Sequence, residues 1–393
     1  LEFSFVADKI FEIQQKSALT KARTGKVALA RGTVQTPIFM PIGTVGSVKS
    51  LSVLDLETLG AQIILGNTYH LWQKPDLEVM ENAGGLHNFS SWQKPILTDS
   101  GGFQAWSLDK LRKFSDEGVE FRILDSGKKR FLTPELSMEI QTILDSDIAL
   151  VLDEALDAQV SESEAKRAMI RTRDWAERSK IEWDKLQAVK QEKTPGKNFL
   201  FGIPQGAQFL DLRRESAKLT MELDFPGYSI GGVANGGEPE EIMYRQVLAQ
   251  TEILEEEKPR HLLGVGTPKD IVQMVARGID MFDCVYPTRN ARHGSLIFKI
   301  DENSYETVQI SATRFRQDFS PINSNSKFPE LRLYSKAYLC HLFRAKELLA
   351  YRLATLQNLE FYLDLMHQIR ELISQGGFDS WWEKYGPVGS IKL

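Results

Sequence analysis

The sequence predicts an α/β protein built as a (β/α)8 TIM barrel, with an N-terminal antiparallel sheet, an inserted hairpin and a helical C-terminal extension. Three observations carry that expectation. Eight short apolar runs of strand length alternate with amphipathic helical segments. The runs end in glycines or polar residues, which gathers polar groups on one rim, the C-terminal face where barrel enzymes keep their sites. No Gly-x-Gly-x-x-Gly follows the first run, which argues against a doubly wound open sheet.

Before the barrel, Phe3-Ser4-Phe5, Lys26-Val27-Ala28-Leu29 and Gly32-Thr33-Val34 read as short antiparallel strands separated by turn signals. The eight barrel runs are 37–42, 62–66, 95–98, 148–152, 200–203, 228–231, 261–265 and 281–285. Helices are expected at 53–59, 134–144, 162–190, 239–254 and 268–278. Pro134 and Pro268 each follow a threonine, the pattern of an N-cap with proline at the first helical position. Residues 113–132 read as a hairpin around Asp125-Ser126-Gly127. The barrel, with its N-terminal strands and this hairpin, is expected to occupy 1–294. The extension, 295–393, brings further strand structure to about residue 310, one long helical segment over 333–374 and an aromatic tail at Trp381-Trp382.

Composition excludes several classes. Of 393 residues, 42% are apolar and 26% charged, and the 15 prolines are scattered, which is the make-up of a folded globular chain. The apolar runs are too short to span a bilayer, and the N-terminal residues carry no signal-peptide pattern. Two cysteines, Cys284 and Cys340, cannot build a disulfide framework or a cysteine-rich zinc site, so a reducing cytoplasm is the expected home. The six histidines show no metal-binding spacing. A net charge of -5 excludes a uniformly basic coat but leaves a local basic patch open. The cations of the extension, Arg314, Arg316, Arg332, Lys336, Arg344, Lys346 and Arg352, fit a solvated face better than a phosphate-tracking surface.

Asp99 and Asp283 are the candidate chemical pair. Two carboxylates on one barrel rim suit chemistry at an anomeric carbon: one attacks to form a covalent glycosyl-enzyme intermediate while the other moves the proton. Asp153 and Glu154 supply acceptors for an amidine-like edge such as guanine N1–H and N2–H, Gln205 both donates and accepts, and Phe103 offers a ring to stack on. Each carboxylate has a competing structural reading as a helix cap. Cys284 follows Asp283 on a strand, so its thiol faces the other way and should be packed.

At these positions the chain resembles the tRNA-guanine transglycosylase family, the queuine tRNA-ribosyltransferases, from about residue 16 to 376. The resemblance rests on Gly66-Asn67-Thr68-Tyr69-His70-Leu71, Thr98-Asp99-Ser100-Gly101-Gly102-Phe103-Gln104, Phe131-Leu132-Thr133-Pro134-Glu135, Gly202-Ile203-Pro204-Gln205-Gly206, Ile230-Gly231-Gly232 and Asp283-Cys284-Val285-Tyr286-Pro287-Thr288-Arg289. It implies exchange of guanine at the tRNA wobble position for a 7-deazaguanine base, with the target nucleotide extruded from its loop. It implies Asp283 as nucleophile on ribose C1′ and Asp99 as the proton-transfer residue. Asp153, Gln205, Ser100, Leu263 and the backbone at Gly232 and Val233 would recognise the base, with Phe103 stacked on it. Thr288, Arg289 and Arg292 would hold tRNA, and a homodimer through the C-terminal region is implied. The residues alone point to the barrel and to glycosyl transfer; the tRNA comes only from the resemblance.

The chain also departs from the family pattern. Where the resemblance places the ligands of a structural zinc, it has Ser326, Phe328, Leu331 and Gln357, so no metal is expected. Ala155 and the run Val233-Ala234-Asn235-Gly236-Gly237 suggest extra room near the 7-substituent, which favours queuine over the smaller aminomethyl base. Two other readings stay open: a non-catalytic partner subunit, and a paralogue acting on another nucleic acid or a nucleoside.

Overall fold

A strand that is apolar on both faces must be covered on both, and the eight runs meet that requirement by closing on themselves. In the computed structural model, which describes residues 10–103, 112–122, 127, 129–157, 159–191, 198–233 and 239–388, they form one parallel barrel. The strands are Ile38–Met40 running on into Ile42–Gly43, then Ile64–Gly66, Ile96–Thr98, Ile148–Leu150, Phe199–Phe201, Tyr228–Ile230, Arg260–Leu262 and Met281–Asp283. All their residues are buried. Neighbours pair in parallel around the ring. The fifth and sixth strands meet at a bridge between Gly202 and Tyr228. Closure comes where Met281, Phe282 and Asp283 pair with Ile38, Phe39 and Met40.

The helices begin where their capping chemistry puts them. Thr133 accepts from the Leu136 amide at 3.1 Å ahead of Pro134–Leu144, and Thr267 accepts from the Asp270 amide at 3.2 Å ahead of Pro268–Val275. The expected hairpin has three strands, Lys113–Phe114, Val119–Arg122 and Lys129–Leu132; most of its turn, including Asp125 and Ser126, lies outside the described residues. The N-terminal sheet runs Phe11–Lys16, Arg23–Leu29, Gly32–Thr36, antiparallel throughout. Phe3-Ser4-Phe5 also lies outside the described residues. The strand Phe11–Lys16 was not anticipated, because its polar second half carries little strand signal.

This sheet is fastened to the bottom of the barrel by buried charge. Asp280 immediately precedes the eighth strand, and its carboxylate takes a two-point contact from Arg23, Nε at 2.9 Å and Nη2 at 2.7 Å. The Arg260 amide adds a third hydrogen bond at 2.8 Å. Arg31 makes the equivalent link to Asp147, ahead of the fourth strand, at 3.2 Å. The single expected helix over 333–374 is instead two, Lys336–Ala345 and Leu348–Ser374. Lys346 breaks it by turning left-handed at φ 59°, so that its amide reaches back to the Leu342 and Phe343 carbonyls.

The second of these helices locks the extension to the barrel. Tyr362 donates to the Gly266 carbonyl at 2.5 Å, and Asn358 bonds Pro287, Ser295 and Ile297. Trp381 packs within the chain, its indole N–H on the Glu302 carbonyl at 2.7 Å and its ring against Tyr385. The extension's cations mostly hold the chain together: Arg352 bridges Asp55 and Glu330, while Arg344 bonds the Ser311 carbonyl.

Of the four positions of the implied zinc ligands, Ser326 and Phe328 lie on a loop, Leu331 on the short helix Pro329–Leu333 and Gln357 on the long helix, and their side chains do not fit a metal. The Ser326 hydroxyl donates to Glu360 at 2.5 Å, Phe328 and Leu331 bring only carbon, and the Gln357 amide is used by Asn323 and the Ile297 carbonyl. Among the described residues no group of three or more His, Cys, Asp or Glu could hold an ion. The loop is held instead by Glu360, which also accepts the Lys327 amide at 2.6 Å, and by the buried Phe328 and Leu331.

Two outcomes follow for stability. Arg23→Ala strands the buried Asp280 charge and should cost about 3 to 5 kcal/mol in urea unfolding; a loss under about 1 kcal/mol contradicts that role. Denaturing metal analysis should find no stoichiometric zinc and chelator should leave the melting temperature unchanged, whereas Glu360→Ala should cost about 1.5 to 3 kcal/mol. One tightly held zinc per chain contradicts this second account.

Candidate active site

The C-terminal ends of the strands carry the candidate residues, and a chain of hydrogen bonds runs from one strand end to the next. Asn67, after the second strand, donates from Nδ2 to Asp99 Oδ2, and the Thr68 amide reaches Asp99 Oδ1 at 2.9 Å. The Thr68 hydroxyl donates to the Asp99 carbonyl at 2.5 Å. Asp99 is thereby fixed just beyond the third strand at 9% exposure.

Ser100 faces the next strand. Its hydroxyl donates to Asp153 Oδ1 at 3.1 Å, and its own carbonyl is held by Ser137 at 2.8 Å. Asp153, 5% exposed, accepts on its other oxygen from Gln205 Nε2 at 2.7 Å. Burial drives the Asp153 carboxyl up to about 6, with the Gln205 and Ser100 hydrogen bonds opposing. Side chains at neighbouring positions would spoil this geometry. A Cβ on Gly102 would sit 2.8 Å from the Asp153 carbonyl, and one on Gly232, at φ 63°, would lie 2.2 Å from Gln205 Oε1. Glu154 plays a different part from its neighbour: Arg171 Nη1 occupies it at 2.7 Å and the Thr172 hydroxyl accepts its backbone N–H.

The loop at Gly231-Gly232 is held from behind by Arg213, which is fully buried. Its guanidinium donates to the Gly231 carbonyl at 2.6 Å, to the Ala207 carbonyl at 2.7 Å and to the Gly232 carbonyl. Val233 is buried beside them; residues 234–238, on which the expected extra room partly depends, lie outside the described residues. Leu263 is half-buried, and the Phe103 ring is 44% exposed.

Asp283 closes the ring at the end of the eighth strand, 6% exposed. Oδ1 accepts from His261 Nε2 at 2.8 Å and from the Gly264 amide at 3.3 Å. His261 is fully buried, and its Nδ1 lies 3.0 Å from Ser229 Oγ. Cys284, the residue after the strand, is half-buried, its thiol on the Gly264 carbonyl at 3.3 Å and pushed up to about 12 by burial. In the helix Tyr286–Arg292, Arg289 is exposed and Arg292 half-buried, while Thr288 is buried and bonds the Val285 carbonyl. Burial and the nearby Arg289 lower the Arg292 guanidinium from its usual range. Of these three, the two arginines are the ones that present surface.

Asn67, Thr68, Arg213, Ser229 and His261 were not singled out as site residues from the sequence. Only His261 carried a usable signal, an imidazole inside an otherwise apolar strand pattern. A groove of about 770 Å³ lies elsewhere, between the strand Ser295–Lys299 and the long helix, and shares no residue with this rim. No helix among the described residues is long and apolar enough to cross a membrane.

Known proteins support the same grouping. The family model for queuine tRNA-ribosyltransferase matches residues 17–386. A queuine tRNA-ribosyltransferase of Desulforapulum autotrophicum is 48% identical over 375 residues, 95% of this chain and 98% of that protein. One from Neisseria meningitidis serogroup A is also 48% identical, over 93% and 94% of the two chains. That of Polaromonas naphthalenivorans is 47% identical over 91% and 90%. With the barrel closed, its rim carboxylates in place and this likeness spanning nearly its whole length, the chain belongs to the queuine tRNA-ribosyltransferase family.

Proposed function

We propose that the chain is a tRNA-guanine transglycosylase that replaces guanine at the wobble position of tRNA with a 7-deazaguanine base. The observation that carries this reading is the pair of buried rim carboxylates, Asp99 and Asp283, in a chain this similar to enzymes of that name. In the first half-reaction a carboxylate oxygen of Asp283 bonds to ribose C1′ as the C1′–N9 bond breaks. The electron pair passes to guanine, which takes a proton from the Asp99 carboxyl. In the second half-reaction Asp99 takes the proton from the incoming base, whose nitrogen attacks C1′ and releases Asp283.

Base recognition falls to the Asp153–Gln205 pair. An ionised Asp153 accepts from N1–H and N2–H of a guanine-like edge, and Gln205 reads the adjoining carbonyl-and-nitrogen edge. Phe103 stacks on the ring and Leu263 flanks the 7-substituent. Ala155, small and buried behind Glu154, supports queuine as the preferred incoming base with the aminomethyl base next. Arg289 and Arg292 hold the neighbouring phosphates. A second copy of the chain docked through the C-terminal region completes the proposal, checked by sedimentation.

Labelled-guanine exchange into tRNA tests the reaction. Wild type should incorporate label, and Asp283→Ala should lower the rate by at least about 1000-fold; equal inertness of both proteins contradicts the proposal. Queuine should outcompete the aminomethyl base, and the reverse order overturns the preference.

Asp153 gives a second test, with a worked sign. Its folded-state value, about 6, lies above the ordinary carboxyl value of 3.8, so the folded state binds more protons between those values. Stability contributed by this group is complete below about pH 4 and is lost as pH rises through about 6. Asp153→Asn removes that titration and should flatten the pH dependence of stability between about pH 4 and 7, while abolishing base exchange. An Asp153→Asn melting temperature that still falls with rising pH as in wild type, or retained exchange, contradicts the assignment.

A further inference from the structure

The rim contains one device that the two-carboxylate chemistry does not use. Ser229, His261 and Asp283 come from the sixth, seventh and eighth strands and form a continuous hydrogen-bonded line. The barrel register produces it. Ser229 pairs with His261, and His261 with Met281, so Asp283, two residues further along, emerges on the same face. Ser229 and His261 are both wholly buried.

The chemistry of the three groups fixes the direction of the line. An ionised carboxylate only accepts, so Nε2 of His261 carries the hydrogen that meets Asp283 Oδ1. In the neutral ring Nδ1 is then an acceptor, and the buried Ser229 hydroxyl is the donor that meets it. Asp283 Oδ1 also takes the Gly264 amide, while Oδ2 has no hydrogen-bond partner among the described residues. One oxygen is held twice and the other is left for chemistry.

We propose that His261 is a positioning residue for the nucleophile, with Ser229 fixing its tautomer. Together with the Gly264 amide it anchors Oδ1, so that Oδ2 is the atom that bonds to C1′. This rests on the reading of Asp283 as nucleophile. Without the anchor the carboxylate rotates about its terminal bond, and the population aimed at the sugar falls. A histidine that only filled space in the barrel would need neither a defined tautomer nor a donor to the carboxylate.

The test is steady-state guanine exchange into tRNA by wild type, His261→Phe, His261→Gln, Ser229→Ala and Asp283→Asn, with melting temperatures measured in parallel. His261→Phe keeps bulk and removes the donor, and should lower kcat roughly 10- to 100-fold with KM for tRNA within about twofold. His261→Gln restores an N–H and should recover at least about a third of that loss on a logarithmic scale. Ser229→Ala leaves the ring in place but frees its tautomer, and should cost about 3- to 10-fold in kcat. Unchanged kcat in His261→Phe overturns the proposal. So do equal losses in the Phe and Gln variants that track lowered melting temperatures. If His261→Phe does not fold, His261→Gln and Ser229→Ala decide: wild-type kcat in both overturns it. Full activity in Asp283→Asn removes the nucleophile reading itself, a result separate from any of these.

Discussion

A carboxylate taken almost wholly out of water must be given hydrogen-bond donors or it will not stay charged. The upper rim of this barrel is organised around that requirement. Asp99, Asp153 and Asp283 are each less than a tenth exposed, and each takes donors from a neighbouring strand end: Asn67 and Thr68 for the first, Ser100 and Gln205 for the second, His261 and Gly264 for the third. Because the donors come from adjacent strands, the closed parallel barrel is a precondition of the site. Opening the second–third, third–fourth, fourth–fifth or seventh–eighth pairing would separate a carboxylate from a donor.

The two ends of the barrel use buried aspartates differently. At the lower end Asp280 meets a full guanidinium from Arg23, and Asp147 meets Arg31, so charge is neutralised and the N-terminal sheet is fixed in place. At the upper end Asp153 receives two neutral donors, Ser100 and Gln205, whereas the next carboxylate in the chain, Glu154, is tied to the Arg171 guanidinium. Neutral donors leave a carboxylate able to take up a proton or form a bond, which a tight ion pair opposes. Burial raises the carboxyl of Asp153 against the pull of Gln205 and Ser100, and raises that of Glu154 against the pull of Arg171.

Most of the barrel was legible in the sequence, since strands buried on both faces leave unbroken apolar runs bounded by glycine and polar residues. The helix starts at Pro134 and Pro268 were legible through their threonine caps. The break at Lys346 was not, because lysine in a left-handed turn has none of the glycine or asparagine signal that usually marks one. At the site, the acidic residues were visible by type, but their division of labour was not: Asp153 and Glu154 are neighbours in sequence, and only Arg171, arriving on a later helix, tells them apart. Ser229 was hidden for a similar reason, and His261, visible as an imidazole in an apolar run, gave no sign of its partners. Which side chains meet across three strands is decided by register, and a one-residue slip would turn each of them to the other face.

The proposed double displacement requires a carboxylate oxygen of Asp283 to become covalently bonded to tRNA ribose during exchange. The most direct measurement is to quench the enzyme with tRNA in denaturant, isolate the protein–RNA adduct and map the modified peptide by mass spectrometry. A denaturant-stable adduct on the peptide containing Asp283, discharged on adding fresh base before the quench, is the expected result. Turnover with no adduct under any quench, or an adduct mapping to Asp99 or another residue, would contradict it.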